Sequence, residues 1–416
     1  MVAHETRRFF YGYVIVTAAF IILAMTEGAL YTYGVFLKPL AAEFGWSRAA
    51  ISGAYSLSMV LFGPCCIVTG RLNDKYGPRI VVTACGLIMG LGYLLMSQVH
   101  AIWQLYLFHV LAASVGVSIF VPLTSTVARW FVKRRGLMTG FVVAGVGVGT
   151  VVMPPIANWL ISNFGWRISY AFMGIMALVV ITSASQFLRR DPISVGLLPY
   201  GDSDVTEAGL NSTRQGLSLW RAIHTGQFWI LLVMLLLFNI YLHGVMVHIV
   251  PHAIELGISA AIGATVLSTI GGVGIVGRIV MGGVSDRIGS RLAITFCFLI
   301  PVLALFWLLA AKQVWMLYLF AVIFGFAYGG FVALQSPIVA ELFSLGSHGV
   351  ILGSIIVGGG IGAAIGPVVL GRIFDLTGSY NQGFLLCASI AVPGFILSLF
   401  LRSAVTKSPR EKIEPH

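Results

Sequence analysis

Charge is what this chain has least of. Aspartate, glutamate, lysine and arginine make up 9% of its 416 residues, where a soluble domain carries roughly 25%. That shortage excludes a surface built for water. Cysteine is scarce too: the five present (Cys65, Cys66, Cys85, Cys297 and Cys387) lie inside apolar stretches and read as small packing residues. Neither a disulfide framework nor metal-ligand spacing emerges from them. No glycine-rich stretch is followed by Lys-Ser/Thr, so there is no phosphate loop and no sign of ATP as a driving force. A nucleophile–base pair is equally absent. The chain is therefore not expected to be an enzyme or to need a cofactor. Segments of about ten residues with alternating apolar and polar character, the mark of a membrane β-barrel, are missing as well.

What remains is hydrophobicity, at 58% of residues and a mean hydropathy of +0.96. A transmembrane helix needs about 20 mainly apolar residues. Twelve such spans can be drawn: 11–37, 49–70, 80–98, 102–129, 136–161, 168–188, 227–251, 259–284, 292–311, 314–340, 350–373 and 383–402. The expected class is an all-α membrane protein whose principal surroundings are a lipid bilayer.

The net charge of +11 is sorted by side rather than gathered into a nucleic-acid patch. Arg7, Arg8, Arg71, Lys75, Arg79, Arg129 and Lys133-Arg134-Arg135 lie at the same set of helix ends as Arg189, Arg190, Arg287, Arg291 and the tail. Only Lys38, Arg48, Arg167, Lys312 and Arg372 fall at the other set. The positive-inside rule then expects both termini in the cytoplasm of a cell-membrane protein. Arg7-Arg8 leads into a span too long for a signal-peptide core, so the first helix is expected to stay.

The chain repeats itself. Gly70-Arg-Leu-Asn-Asp74-Lys-Tyr-Gly77-Pro-Arg79 returns as Gly282-Gly-Val-Ser-Asp286-Arg-Ile-Gly289-Ser-Arg291, an offset of 212 residues. Gly136, Gly140, Gly145, Gly147, Gly149 and Pro154 return 213 residues later as Gly349, Gly353, Gly358, Gly360, Gly362 and Pro367. An even number of spans separates the copies, which predicts two parallel six-helix halves. The expected division is 1–188, a cytoplasmic linker at 189–225, 226–402, and a poorly ordered tail at 403–416.

With these halves, the long central loop and the doubled G-x-x-x-D-x-x-G-x-R turn, the chain resembles the major facilitator superfamily. The resemblance implies two pseudo-symmetric bundles working by alternating access. Asp74, Arg79, Arg129, Asp286 and Arg291 would then be gate residues that pair across the halves at the cytoplasmic ends. A narrower stretch, Ala128-Arg-Trp-Phe131-Val-Lys133-Arg134-Arg135-Gly-Leu137-Met-Thr-Gly140-Phe-Val-Val-Ala144-Gly145, is similar to a signature of the monocarboxylate transporters. Tyr11-Gly12-Tyr13 resembles a reduced form of their first-helix Trp-Gly-Trp pattern. Oxalate:formate antiporters share much of this. The resemblance implies a small monocarboxylate such as L-lactate or pyruvate moved together with a proton, by a protein expected to act as a monomer.

The arginine in the eighth span carries most of the functional weight. Arg278 sits inside Gly271-Gly272-Val273-Gly274-Ile275-Val276-Gly277 and its apolar continuation, where a charge is costly and faces a cavity, a partner or the interface. The repeat puts cysteine at the equivalent position 66, so the arginine is not part of the duplicated scaffold. A guanidinium grips a carboxylate by two parallel hydrogen bonds. In the resembled family this arginine pairs with the substrate. That family also has an aspartate four residues earlier, here Gly274, and a first-helix lysine, here Tyr31. Its usual proton relay is therefore absent.

Replacements are sought in polar residues at matching depth. Asn239 and His243 share a face of the seventh span and correspond through the repeat to Glu27 and Tyr31. Histidine titrates in the physiological range, so His243, His248 and Glu27 are the proton-coupling candidates. Tyr31, its neighbour Leu30, Asn239 and Tyr328 join Arg278 as substrate-contact candidates, with Gln335 and Ser336 weaker ones. Oxalate:formate antiporters are expected to use a second cation, a lysine in the eleventh span. Residues 350–371 hold neither lysine nor arginine, which favours a monoanion. The glycine ladders at 145–149 and 358–362 are expected to serve close helix approach at the moving interface between halves.

Overall fold

Helices account for almost all of the described residues because a backbone in lipid must satisfy its own polar groups. The computed structural model describes residues 10–201 and 217–402. Arg7 and Arg8, linker residues 202–216 and the tail from Ser403 lie outside the described residues. The first half contains α1 (Gly12–Phe44), α2 (Ala50–Tyr76), α3 (Pro78–Met96) and α4 (Ile102–Trp130). A stretch from Arg135 to Ser185 then breaks at Gly165 (φ 81°, ψ 162°) into α5 (135–164) and α6 (166–185). The second half holds α7 (Gly226–Glu255), α8 (Ala261–Ile288), α9 (Ser290–Ala310), α10 (Val314–Phe343), α11 (His348–Thr377) and α12 (Tyr380–Leu399). All twelve expected spans are present.

Several helices outrun their apolar windows. α2 and α8 continue through the repeated motif to Tyr76 and Ile288. Asp74 and Asp286 thus occupy final helical turns, not the loops that follow. The reversal falls on Gly77 (φ 83°) and Gly289 (φ 87°), a left-handed backbone that glycine adopts without Cβ strain. α4 contains a π-helical turn at Leu111–Val115, a feature that accompanies functional segments more often than chance allows.

Among the described residues the linker begins with a clasp. The backbone of Tyr200 donates to Trp130 O at 3.0 Å and accepts from Lys133 N at 3.0 Å, pinning the turn between α4 and α5. Trp130 Nε1 donates to Arg189 O at 3.0 Å from the same turn. The linker ends in one short helix, Leu219–Ile223, capped by Ser218.

The glycine ladders divide their work by helical face. A Cβ on Gly145 or Gly149 would strike the backbone of Phe20 or Ala24 in α1. One on Gly358, Gly362 or Gly366 would strike Leu232, Leu236 or Ile240 in α7. These positions weld helices within a half, whereas Gly147 and Gly360 of the same ladders face α8 and α2 of the opposite half, as expected of a moving interface. That interface uses further glycines. Gly136 and Gly140 of α5 press on the backbone of α8, while Gly70 of α2 presses on Gly349 of α11. Backbones meet there without side chains between them. Further along α8 the close approach ends: a Cβ on Gly271 or Gly272 would meet nothing within 4 Å. The halves are shut at the linker end and parted beyond it.

Candidate functional site

Above this closed end, and between the halves, lies a cavity of about 160 Å³. α1 supplies Glu27, Leu30 and Tyr31, α7 supplies Asn239 and His243, α8 supplies Arg278, and α10 supplies Tyr328 and Gln335. The two helix segments paired through the repeat therefore do face one space.

Arg278 is 2% exposed. Its Nη2 donates to Tyr328 Oη at 3.1 Å, and the guanidinium lies 5.3 Å from the centre of the same ring. Nε and Nη1 are buried and have no hydrogen-bond partner among the described residues. A buried donor left so costs about 1–3 kcal/mol, and more when charged. An anionic acceptor at this position would recover that energy. Glycines make the geometry possible. Gly277 packs on the carbonyl of Phe326, and Gly274 lies against the Tyr328 ring, so α10 approaches near enough for the hydroxyl to reach Arg278. From the other half, Gly147 leaves the room that Nη1 occupies: a Cβ there would sit 2.5 Å from it.

Glu27 is 8% exposed and, among the described residues, takes no hydrogen bond or ion pair. It lines the same cavity as Arg278 without forming a salt bridge to it. Asn239 donates to Leu235 O of its own helix at 2.9 Å, leaving its amide oxygen for another partner. Tyr31 is 38% exposed and lines the cavity. The remaining wall is apolar and aromatic, with Tyr55, Met59 and Phe62 from α2 joined by Phe120 and Phe238. The α2 residues were not legible beforehand. A uniformly apolar helix gives no sign of which face meets a cavity, and Tyr55 alone offered a polar hint.

His248 is placed elsewhere. It is outside the cavity wall, its Nε2 donates to Pro367 O at 2.9 Å, and its ring packs 5.2 Å from Tyr380. Three buried histidines, His109, His252 and His348, escaped the sequence reading. His109 shares a 2.7 Å hydrogen bond with Ser58 under the Tyr33 ring. His348 donates from Nε2 to Ser336 O at 3.0 Å. Ser336 itself reaches across the halves, donating to Thr124 O at 3.0 Å.

The gate candidates divide. Asp74 pairs with Arg129 at 2.6 Å and accepts from Gly349 N at 3.2 Å and Val350 N at 3.0 Å. Asp286 accepts from Gly136 N at 2.7 Å and Leu137 N at 2.9 Å. Each carboxylate thus meets the first turn of α11 or α5 in the opposite half, where orphan N–H groups and the helix dipole favour negative charge. The expected cross-half pairing holds for the acids but not for the arginines. Arg79 donates to Gln186 at 2.9 Å and Arg291 pairs with Glu341 at 2.8 Å, each inside its own half. Helix N-termini, already in place, offer the carboxylates better donors than mobile side chains do.

Comparison with known proteins agrees with this architecture. The profile of the Major Facilitator Superfamily matches residues 19–310 and 297–415. Monocarboxylate transporter 13 of Bos taurus is 26% identical, over 97% of this chain and 93% of its own. The oxalate:formate antiporter of Oxalobacter formigenes is 29% identical, over 95% of this chain and 94% of its own. Among solved structures, the proton:xylose symporter XylE superposes with a TM-score of 0.72 at 13% identity, covering 94% of this chain and 95% of that one. At that identity the likeness concerns the fold alone.

Proposed function

The chain belongs to the major facilitator superfamily, and from that premise we propose that it is a secondary transporter of a small monocarboxylate such as L-lactate or pyruvate, moved with a proton. The observation that carries the proposal is Arg278, whose Nε and Nη1 are buried and unpartnered at a cavity between the halves. A carboxylate lying along one guanidinium edge would accept from either Nε or Nη1 together with the second proton of Nη2, two parallel donors. The cavity of about 160 Å³ is smaller than the ~300–1,000 Å³ of sites for drug-sized ligands, which suits a molecule of few heavy atoms. The curated relatives, named for monocarboxylates and for oxalate and formate, support this class of cargo.

Charge supports the proton. Arg278 and Glu27, both on the cavity wall, offset one another, and a monocarboxylate adds one negative charge. Leaving that charge uncompensated in a low-dielectric space is expensive. A proton on Glu27 restores neutrality, with His243 the adjacent group able to relay it. A dianion would need a second fixed cation. Among the described residues lining the cavity, Arg278 is the only lysine or arginine, which favours a monoanion over an oxalate-type exchange.

Alternating access follows from the contacts. With the linker end cytoplasmic, as the positive-inside rule expects, the described state faces outward. Residues 1–188 and 226–402 would rock as two bodies about the site, joined by 189–225. The protein would do so as a monomer in the cell membrane.

Uptake of labelled L-lactate into proteoliposomes, with and without an inward proton gradient, tests the proposal. Gradient-driven uptake that vanishes in Arg278→Ala is the expected result. Uptake indifferent to the gradient but stimulated by internal oxalate or formate would assign the protein to exchange instead.

A further inference from the structure

The cavity holds two opposite charges that do not touch. Arg278 stands on α8 with two unpartnered donors, and Glu27 on α1 without hydrogen bond or ion pair among the described residues. Each is more than nine-tenths buried. Charges so disposed leave room for a molecule that meets both. The wall they share is rich in rings: Tyr31, Tyr55, Phe62, Phe120, Phe238 and Tyr328. Aromatic faces attract ammonium groups, more strongly when water is excluded.

Building on the monocarboxylate reading, we propose that the same site also accepts small zwitterions, with the carboxylate on Arg278 and the ammonium on Glu27. The charge count is the reason. A plain monocarboxylate leaves the pair one negative charge in excess and needs a proton to restore neutrality. A zwitterion carries its compensating charge covalently, so its ammonium takes the proton's place at Glu27. The two cargoes then differ in energetics: one is driven by the proton gradient and the other is not. The ionisable groups facing Glu27 across the cavity are Arg278 on α8, His243 on α7, Tyr55 on α2 and Tyr328 on α10, with Tyr31 on its own helix. Beyond Arg278 none is a fixed cation, so nothing else on the wall repels an ammonium at all pH values.

The test uses the full-length protein in proteoliposomes, with labelled glycine, β-alanine, γ-aminobutyrate and glycine betaine measured beside L-lactate. The expected result is uptake of at least one zwitterion at a rate unaltered by an inward proton gradient, while L-lactate uptake rises with the gradient. In Glu27→Gln the zwitterion should lose about tenfold or more in apparent affinity, the scale of one charged hydrogen bond. A melting temperature of the purified variant equal to that of the wild type shows that it is folded. Arg278→Ala should lose both cargoes. Transport of L-lactate with none of the four zwitterions would overturn the inference and leave the monocarboxylate reading standing. So would zwitterion uptake that follows the proton gradient, or that survives Glu27→Gln unchanged. Gradient-independent L-lactate uptake beside the expected zwitterion behaviour would sink proton symport alone. Uptake of neither cargo would remove both readings.

Discussion

Asp74 and Asp286 occupy equivalent places in the two halves, and each holds the first turn of a helix in the half opposite. The first bonds to Gly349 N and Val350 N, the second to Gly136 N and Leu137 N. The latches differ in one respect. Asp74 also pairs with Arg129, whereas the residue equivalent to Arg129 is Glu341, which pairs with Arg291.

Neutralising either aspartate should loosen the closed end. Hydrogen bonds to a charged group are worth about 1.5–3 kcal/mol, so Asp286→Asn should raise the population open at the linker end by roughly tenfold or more. Spin labels at the exposed positions Ile80 and Leu292 would report this as a longer distance. An unchanged distance distribution in both Asp74→Asn and Asp286→Asn would remove them from the gate.

Gly147→Ala should impair binding through Arg278. The added methyl group would crowd Ile275 and meet Nη1 at 2.5 Å, pushing the guanidinium from the place it holds on the cavity wall. The expected outcome is a KM for L-lactate raised about tenfold with normal expression. Gly272→Ala, whose Cβ meets nothing within 4 Å, is the control and should transport normally. Equal KM values in the two variants would contradict the clearance assigned to Gly147.

His243 and His248 of the seventh helix should separate by phenotype. His248→Gln removes the bond to Pro367 O and should cost about 1 kcal/mol of stability while leaving the proton dependence of uptake intact. His243→Asn, on the cavity wall, should slow proton-driven L-lactate uptake more than exchange at equal pH. Gradient dependence lost in His248→Gln but retained in His243→Asn would reverse the assignment.

Ser336→Ala should weaken the seam between α4 and α10. It deletes the one side-chain donor reaching Thr124 O, a loss of about 0.5–1.5 kcal/mol. Hydrogen exchange along α4 near Thr124 should quicken while exchange in α9 stays unchanged. Uniform quickening throughout the protein would indicate general destabilisation instead.

The sequence carried the architecture because lipid leaves few alternatives. Twelve apolar spans and an internal repeat suffice to place helices and to pair α1 with α7 in depth. That Arg278 faces a cavity was legible for the same reason, since an arginine among glycines in an apolar helix has few explanations. Direction around a helix axis was much harder to read. His243 and His248 are five residues apart on one helix, yet one meets the cavity and the other meets Pro367. The partners of the gate acids were hidden too, because backbone N–H groups at a helix start have no signature of their own. Only folding brings Gly136 to Asp286 across 150 positions.

One glycine has a consequence for how occupancy and motion are linked. Gly147 belongs to the first half and Arg278 to the second, so the pocket that shapes the guanidinium exists only while the two surfaces are apposed. Affinity at Arg278 is then a reading of the distance between the halves. A ligand that grips the arginine strengthens the seam it sits in, and rocking the seam open loosens the grip. Binding and movement become two descriptions of a single coordinate, set where a hydrogen atom stands in place of a methyl group.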